Sequence, residues 1–315
     1  MIRVLDGIDA FLDRLGSVDF QPLALAVLAH LVKMACTSMA WRNVLAAAYP
    51  GERVRWRSIY GAYLAGVGVN ALVPARAGDA VRIVLAHRAI PGSSYTTVIS
   101  STLALSVFDF AAASALFLWA LSTGALPGLD VLGSLESFDF AWLVARPLAF
   151  ELVLAGILIA LVLLGFWIRG HVLEFRDRVA QAFRVFRPPT RYLGRVAFWQ
   201  ACDWGLRLVT IWLLLDAFDI RQTLHNASLV QVSQSAATLL PITPAGIGTE
   251  QAFLVYLLSG AAPASVLLAF SVGAKLTLTT TNVVAGFTSI ALTLRTLRYS
   301  HAVRAAESAR SSEAG

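Results

Sequence analysis

Long apolar runs constrain the fold of this chain more than any other feature of its sequence. Windows of about 20 largely apolar residues recur, which is the length that an α-helix needs to cross a hydrocarbon core. These runs cover residues 23–41, 93–121, 147–168, 194–215 and 264–294. Charged residues make up only 14% of the chain, against roughly a quarter in soluble domains. The sequence therefore predicts an all-α polytopic membrane protein.

The positive charge of the chain indicates how those helices are oriented. The formal net charge is +6, and arginine carries nearly all the positive charge, since Lys33 and Lys275 are the only lysines. The arginines concentrate in loops beside the apolar runs, which is typical of an orientation signal and of contact with anionic lipid. We therefore expect membrane lipids as partners and no nucleic acid.

Two apolar segments are interrupted by helix-breaking residues at corresponding places in the two parts of the chain. The first break lies in residues 70–82 and the second in residues 239–250. The helix-breaking residues are Pro74 and Gly78 in the first segment, and Pro241, Pro244, Gly246 and Gly248 in the second. Broken backbone at membrane depth is tolerated only inside protein or beside water, and paired breaks are the best sequence indication of a transporter's binding site.

The distribution of arginines favours an inverted-topology repeat with two re-entrant, broken-helix hairpins. If residues 59–91 dip in and return to the same side, the arginine-rich loops fall on the cytoplasmic side, as the positive-inside rule requires. We then expect a transmembrane domain over 22–297, with halves at about 22–121 and 192–297, a connector span at 147–168 and an amphipathic basic helix at 171–187. Residues 1–21 precede it, and 298–315 are expected to form a disordered cytoplasmic tail. Hairpins that partly cross the bilayer remain the competing topology.

The first break carries the candidate phosphate-binding residues. Arg76, Asp79 and Arg82 are spaced by three, so a helix that starts after Pro74 places them on roughly one face. An arginine guanidinium can hold a phosphate through two parallel hydrogen bonds. We therefore take Arg76, Arg82 and Asn70 as candidate lipid-phosphate contacts and Asp79 as the local counter-charge. The alternative is that the three charges only neutralise one another.

Five further ionisable residues within apolar runs are candidates to line a polar path, namely Asp109, Asp203, Arg207, Glu250 and Lys275. Such residues are costly in lipid and usually functional. Asp203 and Arg207 have the i,i+4 spacing of an ion pair, and Lys275 can pair with Glu250 or Asp109. Lys33 is assigned either to an anion path or to pairing within the bundle. We find no catalytic constellation, no metal-ligand spacing and no cofactor fingerprint, so the sequence predicts neither an enzyme nor a metal or cofactor site.

Three motifs carry a family resemblance. They are Asn70-x-Leu-x-Pro-Ala-x-Ala-Gly-Asp-x-x-Arg82, Phe108-Asp109 and Leu240-Pro241-x-x-Pro-x-Gly-x-Gly-x-Glu250. They resemble the lysylphosphatidylglycerol synthase transmembrane family, also called flippase-like, over most of residues 22–297. Leu105 and Ser106 depart from this resemblance, since the family often has a glutamate there.

The resemblance implies a domain of the cytoplasmic (inner or plasma) membrane that moves a lipid with a polar headgroup between leaflets. The lipid would be a phospholipid or a polyprenyl-phosphate type. An accessory protein that presents lipid to a glycosyltransferase or another envelope-lipid enzyme is the alternative, and a membrane-embedded enzyme is the weakest. Two-part family members add a soluble aminoacyltransferase domain, for which we see no room, so the synthase activity is not expected here.

Overall fold

The computed structural model describes residues 18–73, 76–124, 179–186, 189–239 and 249–313, together with residue 177. Within these ranges the chain forms helices and no strand. The helices are α1 Phe20–Ala48, α2 Trp56–Leu72, α3 Ala77–Ala89, α4 Tyr95–Ser122, α5 Pro189–Tyr192, α6 Phe198–Ala217, α7 Leu224–Leu239, α8 Thr249–Leu257 and α9 Ala264–Glu313. A π-helical turn, Leu193–Ala197, joins α5 to α6.

Three of the described helices are long and apolar enough to cross a membrane. They are α1, α4 and the first part of α9, Ala264–Thr293. The start of α1 is fixed by Asp19, whose carboxylate accepts the Gln21 amide at 3.0 Å, and the start of α4 by Ser94, whose hydroxyl oxygen accepts the Thr97 amide at 3.2 Å. Such caps satisfy amide groups that a helix start leaves without partners. The all-α membrane class predicted from the sequence is confirmed.

The first broken segment folds as a pair of short helices in close contact. α2 and α3 have 17 and 13 residues, about 26 and 20 Å at 1.5 Å per residue, which is less than the roughly 30 Å of a hydrocarbon core. Gly66 and Gly78 allow the two backbones to touch, since a Cβ on Gly66 would lie 2.7 Å from the Gly78 carbonyl oxygen. The second broken segment also gives a helix pair, α7 and α8, which are in contact.

The helix contacts follow one pattern in both parts of the chain. If α1, α2, α3 and α4 are exchanged with α6, α7, α8 and α9, each of the more extensive contacts among these described helices has a counterpart. The contact between α1 and α6 is unchanged by the exchange. The contact between α2 and α9 corresponds to the contact between α7 and α4. Likewise α2–α3 matches α7–α8, α1–α2 matches α6–α7, α1–α4 matches α6–α9, α3–α4 matches α8–α9, and α1–α9 matches α6–α4.

The connections of the two helix pairs lie at opposite ends of α1. At its start, the Asp19 amide donates to the Ala217 carbonyl at the end of α6, where the chain turns into α7. At its other end, the Tyr49 hydroxyl accepts the Ser94 amide at 3.0 Å, from the connection between α3 and α4. α1 has 29 residues, so these ends are about 42 Å apart. We call the connections before α2 and after α3 the α2–α3 base, and the connections before α7 and after α8 the α7–α8 base.

The C-terminal segment is helical over the described residues. α9 continues to Glu313 as one helix of 50 residues. Residues 298–313 contain several alanines and arginines, which have high intrinsic helix propensity and extend a helix that is already nucleated.

The basic segment predicted as an amphipathic helix over 171–187 is described in part, and residues 179–182 are helical. Residues 171–176, 178 and 187 lie outside the described residues, and Phe183–Phe186 form a 3₁₀ turn. Val185 is buried against Val44 of α1 and Ala104 of α4, with Phe183 and Phe186 packed beside it. The described apolar side chains therefore pack on protein. The connector span at 147–168 and residues 1–17 also lie outside the described residues.

Candidate functional site

Asn70 organises the tip of the α2–α3 pair. Its side-chain oxygen accepts the Gly78 amide at 2.7 Å, and its side-chain nitrogen donates to Asp79 at 2.9 Å. Asp79 also pairs with Arg82 at 3.4 Å, and the Arg82 guanidinium lies 5.8 Å from the Trp41 ring centroid. Arg76 is exposed and precedes α3 in a left-handed conformation, with φ of 56°. Pro74 lies outside the described residues.

Removal of the Asn70 side chain should destabilise this tip. Asn70→Ala leaves the Gly78 amide without its acceptor and removes one of the two donors to the Asp79 carboxylate. The loss of a partner costs about 1–3 kcal/mol for a buried group. Thermal unfolding of the purified protein in detergent should show a lower midpoint. Gln222→Ala, at an exposed position between α6 and α7, is the control and should leave the midpoint unchanged. Equal midpoints for both variants would contradict a structural role for Asn70.

A second polar group joins α1, α4 and α6. Arg207 donates to Asp203 at 2.9 Å, and its guanidinium lies 3.9 Å from Asp109. Asp203 is 2% exposed and also accepts a hydrogen bond from Thr37. Trp204 donates to Asp109 at 2.9 Å and lies under the Arg207 guanidinium. The predicted Asp203–Arg207 pair is confirmed, and Asp109 lies beside it.

A polar cavity of about 220 Å³ opens between α1, α6, α7, α8 and α9. Its charged and titratable lining residues are His30, Lys33, Arg207, Glu250 and Lys275. Lys275 pairs with Glu250 at 3.2 Å, which decides between the two partners proposed for this lysine. Asp109 and Asp203 are not among the residues that line this cavity. The remaining polar lining consists of hydroxyl and amide side chains, including Gln231, Ser271 and Asn282.

A larger apolar groove of about 980 Å³ runs between α1, α2, α3 and α9. Val27, Leu31 and Val284 line one part of it. Arg57 at the start of α2 and Arg88 at the end of α3 lie together at the α2–α3 base, and both side chains are exposed. This site, which we call the groove, therefore combines an apolar channel with two cations at one end.

Sequence reasoning missed part of this arrangement. Arg57 and Arg88 were counted only as orientation signals, and Lys33 was left between two interpretations. The glycine spacing in α2 could have indicated the groove wall, because Gly61 and Gly68 fall on one helix face and small residues mark close helix contacts. The predicted breaks at Pro241, Pro244, Gly246 and Gly248 lie outside the described residues.

The described residues form helices that can span a bilayer, two short helix pairs and charged groups buried between them. These features define an integral membrane protein with a polar interior. The chain belongs to the family described as the lysylphosphatidylglycerol synthase TM region, whose model matches residues 2–286. This match confirms the resemblance carried by the motifs. It concerns a membrane region and is compatible with a lipid-related function. No curated protein matches the chain.

Proposed function

We propose that this protein is a lipid translocase that moves a phosphate-bearing lipid between the leaflets of the cytoplasmic membrane, with its C-terminus in the cytoplasm. The observation that carries the proposal is the groove. Its apolar walls suit acyl or polyprenyl chains, and Arg57 and Arg88 at one end suit a lipid phosphate. Anionic lipids meet the same two cations by charge complementarity.

The pattern of helix contacts supports alternating access to such a lipid. The helix contacts of the two halves correspond, and the two helix-pair bases lie at opposite ends of α1. An inverted repeat with two re-entrant hairpins produces this arrangement. In this proposal, Arg76 at the tip of the first hairpin is a second phosphate contact, while Asn70, Asp79 and Arg82 hold the tip in shape. Arg207, Glu250 and Lys275 line the polar path beyond it, and Asp203 and Asp109 hold Arg207 in place.

Reconstitution into liposomes tests the function. The leaflet distribution of fluorescent phosphatidylglycerol, phosphatidylethanolamine and a polyprenyl phosphate is followed with a membrane-impermeant quencher, in vesicles with and without the protein. We expect at least one of these lipids to cross faster with the protein. If none does, the translocase proposal fails. If a lipid binds but does not cross, the accessory protein that presents lipid to an envelope-lipid enzyme becomes the better proposal.

Arg57 and Arg88 provide the matched test of the groove. The Arg57→Gln/Arg88→Gln double variant should translocate roughly tenfold more slowly, because it loses two charged hydrogen-bond donors to phosphate. Arg53→Gln/Arg55→Gln removes the same charge from exposed positions in the connection before α2 and should keep the wild-type rate. Equal rates for the two double variants would show that the groove cations do not hold the transported lipid.

A further inference from the structure

Lys33 is the charged residue of the polar cavity that the described contacts leave without a partner. Lys275 is paired with Glu250, and Arg207 is paired with Asp203. Among the described residues, no hydrogen bond or ion pair reaches the Lys33 ammonium group. An ammonium group has three donors to satisfy, and in a membrane interior unsatisfied donors are costly.

More cations than carboxylates are among the described residues that line the cavity. Lys33, Arg207 and Lys275 line it, whereas Asp203, which orients Arg207, is buried behind the lining between α6 and α1. Glu250 is the one carboxylate among the described lining residues, and it is already held by Lys275. The network as a whole is nearly balanced in charge, but its positive side faces the cavity.

Ser271 supplies an independent observation at the same cavity. Its side chain is 5% exposed and lines the cavity from α9. Its hydroxyl oxygen is buried and has no hydrogen-bond partner among the described residues. Buried hydroxyl groups nearly always have a partner. An unpartnered hydroxyl that lines the same cavity as an unpartnered cation therefore indicates a ligand with hydrogen-bond acceptors.

We propose that the polar cavity binds one phosphate-type oxyanion, with Lys33 and Ser271 as its direct donors and with Arg207 and Lys275 contributing positive potential. A volume of about 220 Å³ is several times the roughly 30 Å³ share of one water molecule. It holds a phosphate with a few further heavy atoms, but not the chains of a lipid. The phosphate can belong to a lipid headgroup or to a free anion, which share the same chemistry. The site does not depend on lipid translocation.

Calorimetric titration of the full-length protein in a non-ionic detergent tests the site. Three ligands are titrated in potassium chloride: inorganic phosphate, a short-chain phosphatidic acid and the short-chain diacylglycerol that lacks the phosphate. We expect the wild type to bind at least one phosphate ligand and not the diacylglycerol. Lys33→Gln should weaken this binding by about tenfold or more, and Ser271→Ala by about threefold or more.

Arg53→Gln, which removes an exposed cation outside the cavity, is the control and should bind as the wild type does. Ser271→Ala keeps every charge and removes a hydroxyl group that has no described partner, so it decides the matter if Lys33→Gln does not fold. Binding of inorganic phosphate itself assigns a free anion, and binding of phosphatidic acid alone assigns a lipid phosphate. No phosphate ligand bound, or wild-type affinity in both cavity variants, would overturn the proposal. An equal loss in Arg53→Gln would overturn it as well.

Discussion

Asp203→Ala should be the most destabilising single substitution among the polar residues of this protein. Removal of one member of a buried ion pair costs about 3–5 kcal/mol, because the other charge remains buried without its partner. The Asp203 side chain is 3% exposed and accepts from both Arg207 and Thr37, so the substitution also removes a hydrogen bond between α6 and α1. Asp109, at 3.9 Å, is too far to replace it as a hydrogen-bond partner of Arg207.

The effect is measured as the free energy of unfolding in a detergent titration followed by tryptophan fluorescence. Asp216→Ala is the matched control, because Asp216 is an exposed carboxylate near the end of the same helix and should change the free energy by less than about 0.5 kcal/mol. Replacement of both Asp203 and Arg207 by leucine should recover part of the loss, since no unpaired charge is then buried. A loss for Asp203→Ala no larger than the control's would show that the pair is not buried in the folded protein.

Gly286→Ala should separate α9 from the first helix pair. A Cβ on Gly286 would overlap the Gly68 Cα atom and lie 2.8 Å from the Leu64 carbonyl oxygen, and a Cβ on Gly68 would lie 2.7 Å from the Gly286 Cα atom. These obstacles are backbone atoms of two packed helices, so the strain cannot be relieved by a rotamer change. Overpacking of this kind costs about 1–3 kcal/mol, or more where backbones must move.

Gly205→Ala in α6 makes the same chemical change where nothing lies within 4 Å of the added Cβ. Alanine is favoured over glycine in a helix by about 1 kcal/mol, so this control should be neutral or stabilising. Because α2 and α9 both line the groove, Gly286→Ala should also slow lipid translocation in liposomes while Gly205→Ala does not. The same direction of stability change for both glycines would contradict the close contact between α2 and α9.

Interactions that are local in the sequence were predicted well. The apolar runs gave the helices and their order, the i,i+4 spacing gave the Asp203–Arg207 pair, and the two breaks gave the two short helix pairs. Periodicity and spacing act within one helix or between neighbours in the chain, so a single sequence contains them. The family is confirmed for the same reason, because its motifs are short and contiguous.

Contacts that bring five helices together could not be predicted from periodicity and spacing in a single sequence. Lys33 and Ser271 line the same polar cavity only because α1 and α9 are brought together with α6, α7 and α8. Likewise, Val185 is buried because the basic segment reaches α1 and α4, although its own composition indicates a membrane surface. Helical periodicity shows which side of a segment is apolar, but it does not distinguish a lipid from a protein neighbour.

Opposed hairpins are the central claim, and cysteine accessibility in right-side-out and inside-out membrane vesicles tests it most directly. Single cysteines are placed at Glu52 near the α2–α3 base and at Ser259 near the α7–α8 base, both exposed, after replacement of Cys36 and Cys202 by alanine. A membrane-impermeant maleimide should label Glu52→Cys from the cytoplasmic side and Ser259→Cys from the other side. Labelling of both cysteines from the same side would contradict the inverted repeat and the translocation route that depends on it.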